Sequence, residues 1–477
     1  MTGDAVEVDY LVIGAGATGM AFTDTLVHES AATVAIVDKH DKPGGHWNDA
    51  YAFVRLQQPS LFYGASSHRL GTGSLDRAGL NQGMFQLASG SEVLYHYDTV
   101  MNETLLSSGK VEYFPLSVAK SDGIVTSLVS GKTRQVRAKK VVDARYYEAK
   151  VPSVVRPAFR MEDGARVVPP NALSSTRDST ELFASFVVIG GGKTGIDTCL
   201  WLLQHDIDPD RIAWVIPRDF WIQDRANFQP GEHHLLRFVT SAANQLDALV
   251  RATSSRNLFE RLEEVGELRR IDRDVEPTAY HCSVISDGEF ALLSRIRNII
   301  RKGHVREVSP DGLTFDKGRH ACDGPTLHIN CTAQGIYRRP ARKIFDGREI
   351  VLQWLRTCQP SFSASLIGFL EATITDEDVK NHLCEPNIAP DIPTDWIRMM
   401  RINLVNHQRW ARNPAVEKWL SNERNSFFAS DPAVYGDTKP DVVAQLERFQ
   451  TLQEPALAAI DRLLATSTTD VAPALSA

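Results

Sequence analysis

The sequence predicts an α/β fold in which one strand–turn–helix–strand unit occurs twice, with helical insertions and a mostly helical C-terminal region. Three observations carry this. An apolar run at residues 8–13 (VDYLVI) meets a glycine turn, a helix-compatible stretch and a second apolar run at 33–37; the same order returns from residue 186; and the chain beyond about residue 350 has helical patterning. In the first copy the turn is Gly14-Ala-Gly16-Ala-Thr18-Gly19 and the helix ends near Glu29. Strand-like pieces follow at 111–114, 124–129 and 135–142, separated by turn signals at Ser121-Asp-Gly123 and Ser130-Gly131. A Pro-rich hinge at 167–171 leads to the second copy: strand 186–189, turn Gly190-Gly-Gly192-Lys193-Thr194-Gly195, helix 196–205 and strand 211–216. Residues 232–300, rich in helix formers and charge, read as helical insertions, and 327–332 (LHINCT) as a returning strand. The resulting divisions are a first domain at 1–168, a second at 169–325, completion of the first with C-terminal helices at 326–464, and a frayed Ala/Ser/Thr/Pro-rich tail at 465–477.

Composition excludes several function classes. The 477 residues carry 52 Lys and Arg against 59 Asp and Glu, a net charge of −7 without basic blocks, which gives no electrostatic footprint for nucleic acid or an anionic membrane. Six cysteines, none in a CxxC pair, are too sparse for a disulfide framework and argue against zinc knuckles and dithiol chemistry. The N-terminus is acidic where a signal peptide would be basic, and no apolar run approaches a membrane span, so the expected compartment is the reducing cytoplasm. No metal site is expected: His233-His234 lack a partner at helical spacing and read as solvated.

The glycine turns point to dinucleotides. Gly14, Gly16 and Gly19 fit the Rossmann-like fingerprint: tight turn, close approach of a pyrophosphate, and packing of helix on strand. The phosphates would sit at the helix N-terminus beside Thr18. Asp38, with Lys39 beside it at the end of the second strand, is placed to accept hydrogen bonds from a ribose diol. In the second copy Gly190, Gly192 and Gly195 repeat the pattern with Lys193 and Thr194 between them, but the strand tip carries Arg218 instead of a carboxylate. A guanidinium suits a 2′-phosphate and favours NADP over NAD; the competing reading of Arg218 is a solvated loop residue. A Walker A reading of Lys193-Thr194 fails, because its first Gly would fall at Val187.

At this point the chain resembles a known group. Asp38, five residues, then Gly44-Gly45-His46-Trp47 is similar to the acid-x5-GGxW segment of flavin-containing and Baeyer–Villiger monooxygenases, and Gly190-Gly-Gly192-Lys-Thr194-Gly195-Ile-Asp197 resembles their GxGxSGxD motif. Residues 51–59 resemble the segment beside the flavin ring, and 140–145 and 329–335 stand where that group has its two crossovers between domains. The resemblance implies FAD on the first turn, with Gly45, His46 and Trp47 near it, and NADPH on the second. It implies a flavoprotein that inserts one oxygen atom from molecular oxygen into a small organic substrate, at a heteroatom or carbon, by way of a flavin C4a-peroxide. Two departures stand out. No FxGxxxH precedes the second turn, its letters occurring instead at Phe62–His68, and Gln57 stands where Baeyer–Villiger enzymes carry Asp.

The resemblance also supplies candidates for the reaction site. Arg55, Gln57 and Gln58 would form the face beside the flavin, Arg55 also being able to pair with cofactor phosphate. Ser361, Phe362 and Ser363 lie at the start of a helix that in such flavoproteins points at the ring; an ordinary capped core helix is the competing reading. Two rival functions keep the fold: an FAD/NADPH reductase or dehydrogenase without oxygen insertion, and a non-catalytic binding protein.

Overall fold

The computed structural model describes residues 5–176, 181–333, 335–356, 358–426 and 439–466. The chain runs through β1 (Val6–Ile13), α1 (Ala17–Glu29), β2 (Val34–Val37), α2 (Gly90–Thr99), β3 (Val111–Phe114), β4 (Ser117–Ala119), β5 (Ile124–Ser127) and β6 (Thr133–Asp143). Next come β7 (Arg160–Met161), β8 (Arg166–Val168), α3 (Leu173–Thr176), β9 (Ser185–Ile189), α4 (Lys193–Gln204), β10 (Ile212–Val215), β11 (Phe220–Asp224), α5 (Glu232–Arg251), α6 (Ser255–Glu264), β12 (Leu268–Arg269), β13 (Ala279–Ile285), α7 (Asp287–Leu293) and β14 (Asn298–Ile300). The remainder is β15 (Val305–Ser309), β16 (Gly312–Phe315), β17 (Gly318–Ala321), β18 (Thr326–Asn330), β19 (Phe345–Asp346), β20 (Glu349–Val351), α8 (Pro360–Thr373), α9 (Glu377–His382), α10 (Pro393–Ala411), α11 (Pro414–Asn422) and α12 (Pro440–Thr466).

Two parallel sheets organise these elements. In the first, β20, β6, β1, β2 and β3 lie side by side, with Ile13 opposite both Val37 and Asp143. The second has the order β14-β10-β9-β18-β8, again parallel. Leu11, Val12 and Ile13 are all buried, as expected of a strand covered on both faces, and α1 and α8 close one face of the first sheet. A third core joins Trp221 and Tyr280 to α5, α6, α10 and α12. No helix among the described residues is long and apolar enough to cross a membrane.

The two-unit α/β architecture with a helical C-terminal region is as expected, and so is the strand at 111–114, which is the edge of the first parallel sheet; three details differ. Residues 232–300 are only partly helical: β13 pairs with β11, and β14 is a strand of the second sheet. Short β-branched runs such as Asn298–Ile300 look like helix when read among charged neighbours. Strand β18 pairs with β8 and β9 in the second sheet, so 326–330 belong there and not with the completion of the first unit. Finally, Cys282 and Cys358 form a disulfide across 76 residues, which sparse cysteines and a reducing compartment had argued against. Of the expected frayed tail, 465–466 end α12 and 467–477 lie outside the described residues.

Candidate functional site: two open glycine turns

The glycines of the first turn have different reasons to be there. Gly14 has φ +113°, and a Cβ on Gly19 would stand 1.9 Å from the Gly14 carbonyl oxygen, so backbone shape and packing require both. Gly16 is required by neither. Its φ is −79°, open to any residue, and the nearest atom to a Cβ there would be the Gly45 Cα at an ordinary 3.6 Å. The second turn repeats this. Gly190 has φ +128° and a Cβ on Gly195 would lie 2.0 Å from the Gly190 carbonyl oxygen, whereas Gly192 has φ −79° and no heavy atom of the described residues within 4 Å of its Cβ position. No side chain among the described residues caps α1 or α4, so their first amides face the same openings. A dinucleotide pyrophosphate fits both cradles: it needs close access to the middle glycine and free N–H donors.

Asp38 is built to remain a carboxylate. It is buried at the end of β2, where Oδ2 accepts the Ala15 N–H at 2.6 Å and Oδ1 accepts the His40 N–H at 2.8 Å and faces His40 Nδ1 at 2.9 Å. Burial pushes its pKa up, but these bonds outweigh it and hold the group below the usual range; in return Asp38 raises that of His40. A carboxylate accepts about four hydrogen bonds, so these three leave one acceptor position open. Thr18 ties the turn to the crossover by donating to the Ala144 carbonyl at 3.1 Å. Lys39 is exposed. Gly44 donates to the Ala15 carbonyl at 2.8 Å, which sets Gly45 against Gly16, with His46 stacked on Trp47. Burial takes His46 down to about 4, so it is neutral near pH 7. Trp47 is a core residue, its Nε1 donating to the Tyr63 hydroxyl at 2.9 Å.

The two units are fastened together beside these turns. Tyr51, just after the GGHW segment, donates to Asp197 Oδ2 on α4 at 2.7 Å, and Asp197 also pairs with Lys193. Arg225, in the turn after β11, is buried and donates to the Gln57 carbonyl at 2.8 Å and to Asn81 Oδ1 at 3.1 Å, and pairs with Glu289 at 2.7 Å.

The first unit contains a match to the NAD(P)-binding Rossmann-like domain family at residues 12–72. Uncharacterized proteins of Mycobacterium tuberculosis and Mycobacterium bovis are each 44% identical to the chain over 426 residues, 89% of this chain and 78% of the relative. The chain belongs to the family of these mycobacterial proteins. Among solved structures, the polycyclic ketone monooxygenase of the thermophilic fungus Thermothelomyces thermophila matches with a TM-score of 0.50 at 13% identity, covering 98% of this chain and 89% of that one. The fold of this family member is thus the flavin-containing and Baeyer–Villiger monooxygenase-like one that its motifs resemble.

Several expected site residues have protein partners of their own. Arg55 is exposed and donates to the Leu87 carbonyl at 3.3 Å; Gln57 and Gln58 are half-buried on the segment that Arg225 holds. Ser363, expected at the reaction centre, is buried and its hydroxyl is committed: it donates to the Gln359 carbonyl at 2.7 Å and accepts the Leu355 N–H at 3.0 Å. Ser361 accepts the Gly64 N–H at 3.2 Å, and Phe362 lies beneath the Arg356 guanidinium, 3.8 Å from its ring centroid. Phe362 and Ser363 thus organise the loop before α8, and Ser361 ties the start of the helix to Gly64. Arg218 is at the tip after β10 as expected, but paired with Asp391. His233 is exposed, and His234 is half-buried and packs edge-on against Phe85. Tyr51 had only the family-like segment to mark it, and nothing in the sequence marks Arg225 apart from other surface-type arginines.

Proposed function

We propose that the chain is an FAD-dependent, NADPH-consuming monooxygenase that inserts one oxygen atom from molecular oxygen into a small organic substrate. The observation that carries this reading is the presence in one chain of two uncapped glycine turns whose middle glycines are needed by neither backbone nor packing. In this reading the amides at the start of α1 hold the FAD pyrophosphate and Asp38 the ribose, while those at the start of α4 hold NADPH. Bound flavin supplies hydride acceptance and electron transfer to oxygen.

The chain's own residues do the positioning. Burial and the Asp197 charge raise the Tyr51 pKa well above its ordinary value, so the phenol stays protonated, donates to Asp197 and keeps the loop after GGHW registered on α4. Arg225 fixes the backbone of Gln57, so the amides of Gln57 and Gln58 are presented from a rigid segment and can orient substrate or water. An open cleft of about 350 Å³, lined by Leu80, Met84, Ala226, His234 and Arg237 among others, has the size of a small-ligand pocket.

The test is direct. The purified chain is expected to be yellow, to oxidise NADPH in an oxygen-dependent way, and to incorporate one ¹⁸O atom from ¹⁸O₂ into a panel of small ketones and thioethers; Asp38→Ala loses bound FAD. NADPH oxidation at the same rate under argon with a quinone acceptor, without ¹⁸O incorporation, replaces the reading with a reductase. A colourless chain that takes up no FAD replaces it with a binding protein.

A further inference from the structure

Strand β13 carries two residues more than the strand it pairs with. Trp221 lies opposite Tyr280 and Ile222 opposite Ser283, so His281 and Cys282 form a bulge, in which Cys282 has φ +54°, a conformation rare for a residue with a side chain. Bulges re-aim side chains. Here the extra pair faces the chain that follows the second unit: Cys282 is bonded to Cys358, just before α8, and His281 Nε2 lies 3.1 Å from Asp391 Oδ1.

Asp391 also accepts both terminal nitrogens of Arg218, one of them at 3.1 Å, and its carbonyl accepts the Tyr280 N–H at 2.9 Å. The imidazole of His281, burial opposing, and then the guanidinium hold the Asp391 carboxyl well below the usual range. A planar guanidinium fork and an imidazole N–H, contributed by two segments of the second unit, therefore converge on one carboxylate contributed from outside it. That donor set is also the one a phosphate dianion takes. Arg218 stands at the tip of the second strand after the second glycine turn, where the 2′ position of a bound dinucleotide's ribose is read. The three side chains are 40%, 37% and 40% exposed for Arg218, Asp391 and His281. An ion pair so exposed is worth at most about 1 kcal/mol and is readily exchanged for a better anion.

We propose that Asp391 is a resident carboxylate standing in the 2′-phosphate position of the second nucleotide site, and that His281 reads that phosphate together with Arg218 once Asp391 gives way. The proposal rests on the reading of the second turn as the NADPH site. Asp391 then acts against 2′-phosphorylated nucleotides alone, because NAD leaves the Arg218–Asp391 pair closed, and the choice between the two cofactors is set partly by a competitor built into the chain.

Calorimetric titration of the purified full chain with NADP⁺, NAD⁺, 2′,5′-ADP and 5′-AMP tests it. Asp391→Asn, which keeps shape and removes charge, is expected to tighten NADP⁺ and 2′,5′-ADP about fivefold and to leave NAD⁺ and 5′-AMP within about twofold. His281→Ala is expected to weaken NADP⁺ about fivefold, and Arg218→Ala more than about tenfold. An unchanged NADP⁺ to NAD⁺ affinity ratio in both Asp391→Asn and His281→Ala, with a lowered ratio in Arg218→Ala, overturns the proposal and leaves the NADPH reading standing. Equal tightening of both nucleotides by Asp391→Asn also overturns it. A wild-type chain that binds neither nucleotide overturns the NADPH reading, and the proposal with it.

Discussion

Replacing Gly192 by Ala separates what a glycine does for the fold from what it does for a ligand. Its backbone, φ −79° and ψ −174°, is open to Ala, and the new methyl meets no atom of the described residues within 4 Å. Ala restricts the unfolded chain and so stabilises by about 0.4–1 kcal/mol. Gly192 is also the N-cap of α4, where Ala is the poorer residue by a similar amount. The two effects offset each other, and thermal melting should move by no more than about 2 °C. Binding should respond differently. A methyl at that point holds a pyrophosphate off the amides at the start of α4, and losing one charge-assisted hydrogen bond costs about 2–3 kcal/mol, or about 30- to 150-fold in affinity for NADP⁺. The control is Gly195→Ala, whose methyl would come within 2.0 Å of the Gly190 carbonyl oxygen and should lower the melting temperature outright. Calorimetry and melting curves on both variants decide the matter. A Gly192→Ala chain that melts normally and binds NADP⁺ within twofold of wild type refutes the argument that the open face is reserved for a phosphate.

Two further predictions concern stability. The Cys282–Cys358 bridge closes a loop spanning 76 residues, for which chain entropy predicts a stabilisation of about 4 kcal/mol; denatured, unreduced chain should titrate four thiols and reduced chain six, with reduction or Cys358→Ser lowering the melting temperature. Burial pushes the Glu267 carboxyl up to about 7 against hydrogen bonds from Ser241, Gln245 and Asn227. The folded state thus binds this proton more tightly than the unfolded chain, and the contribution is present below the unfolded value near 4.3 and is lost as pH rises through about 7, by about 4 kcal/mol. Glu267→Gln should gain on wild type across that window in melting experiments from pH 5 to pH 8, and parallel curves would show that Glu267 does not carry the proton.

The parts of the site legible in the sequence are those where chemistry and backbone geometry coincide in a few adjacent residues. Gly14, Gly19, Gly190 and Gly195 are demanded by the turn itself, and Asp38 ends a short apolar strand, so spacing alone brings them to one place. What sequence could not supply are the long-range pairs. Cys282 and Cys358 meet only because a two-residue bulge turns one of them toward the loop before α8. Arg225 reaches Gln57, and Asp391 reaches Arg218, across segments whose letters carry no trace of the partner. Ser361 and Ser363 are a different case: serines at a helix start suggest an open cap, whereas the Ser363 hydroxyl is taken up by the preceding loop and that of Ser361 by the distant Gly64 N–H.

The close crossing of α1 and α8 bears on how the chain is made. Gly368 on α8 sits so near α1 that a Cβ would come within 2.8 Å of the Phe22 carbonyl oxygen, and Phe22, Leu26, Leu366 and Leu370 share one core. Translation delivers α1 before the second sheet and α8 only after the whole of it, the strands from β8 to β18 lying between the two helices in sequence. Until then α1 lacks the part of its cover that α8 supplies, and strand β6 lacks its neighbour β20. Domains emerging from the ribosome generally fold as units in order of appearance, and exposed apolar surface in that interval invites chaperones or aggregation. Here the order is inverted: the nucleotide unit begun first is the one that closes last, around a neighbour already complete.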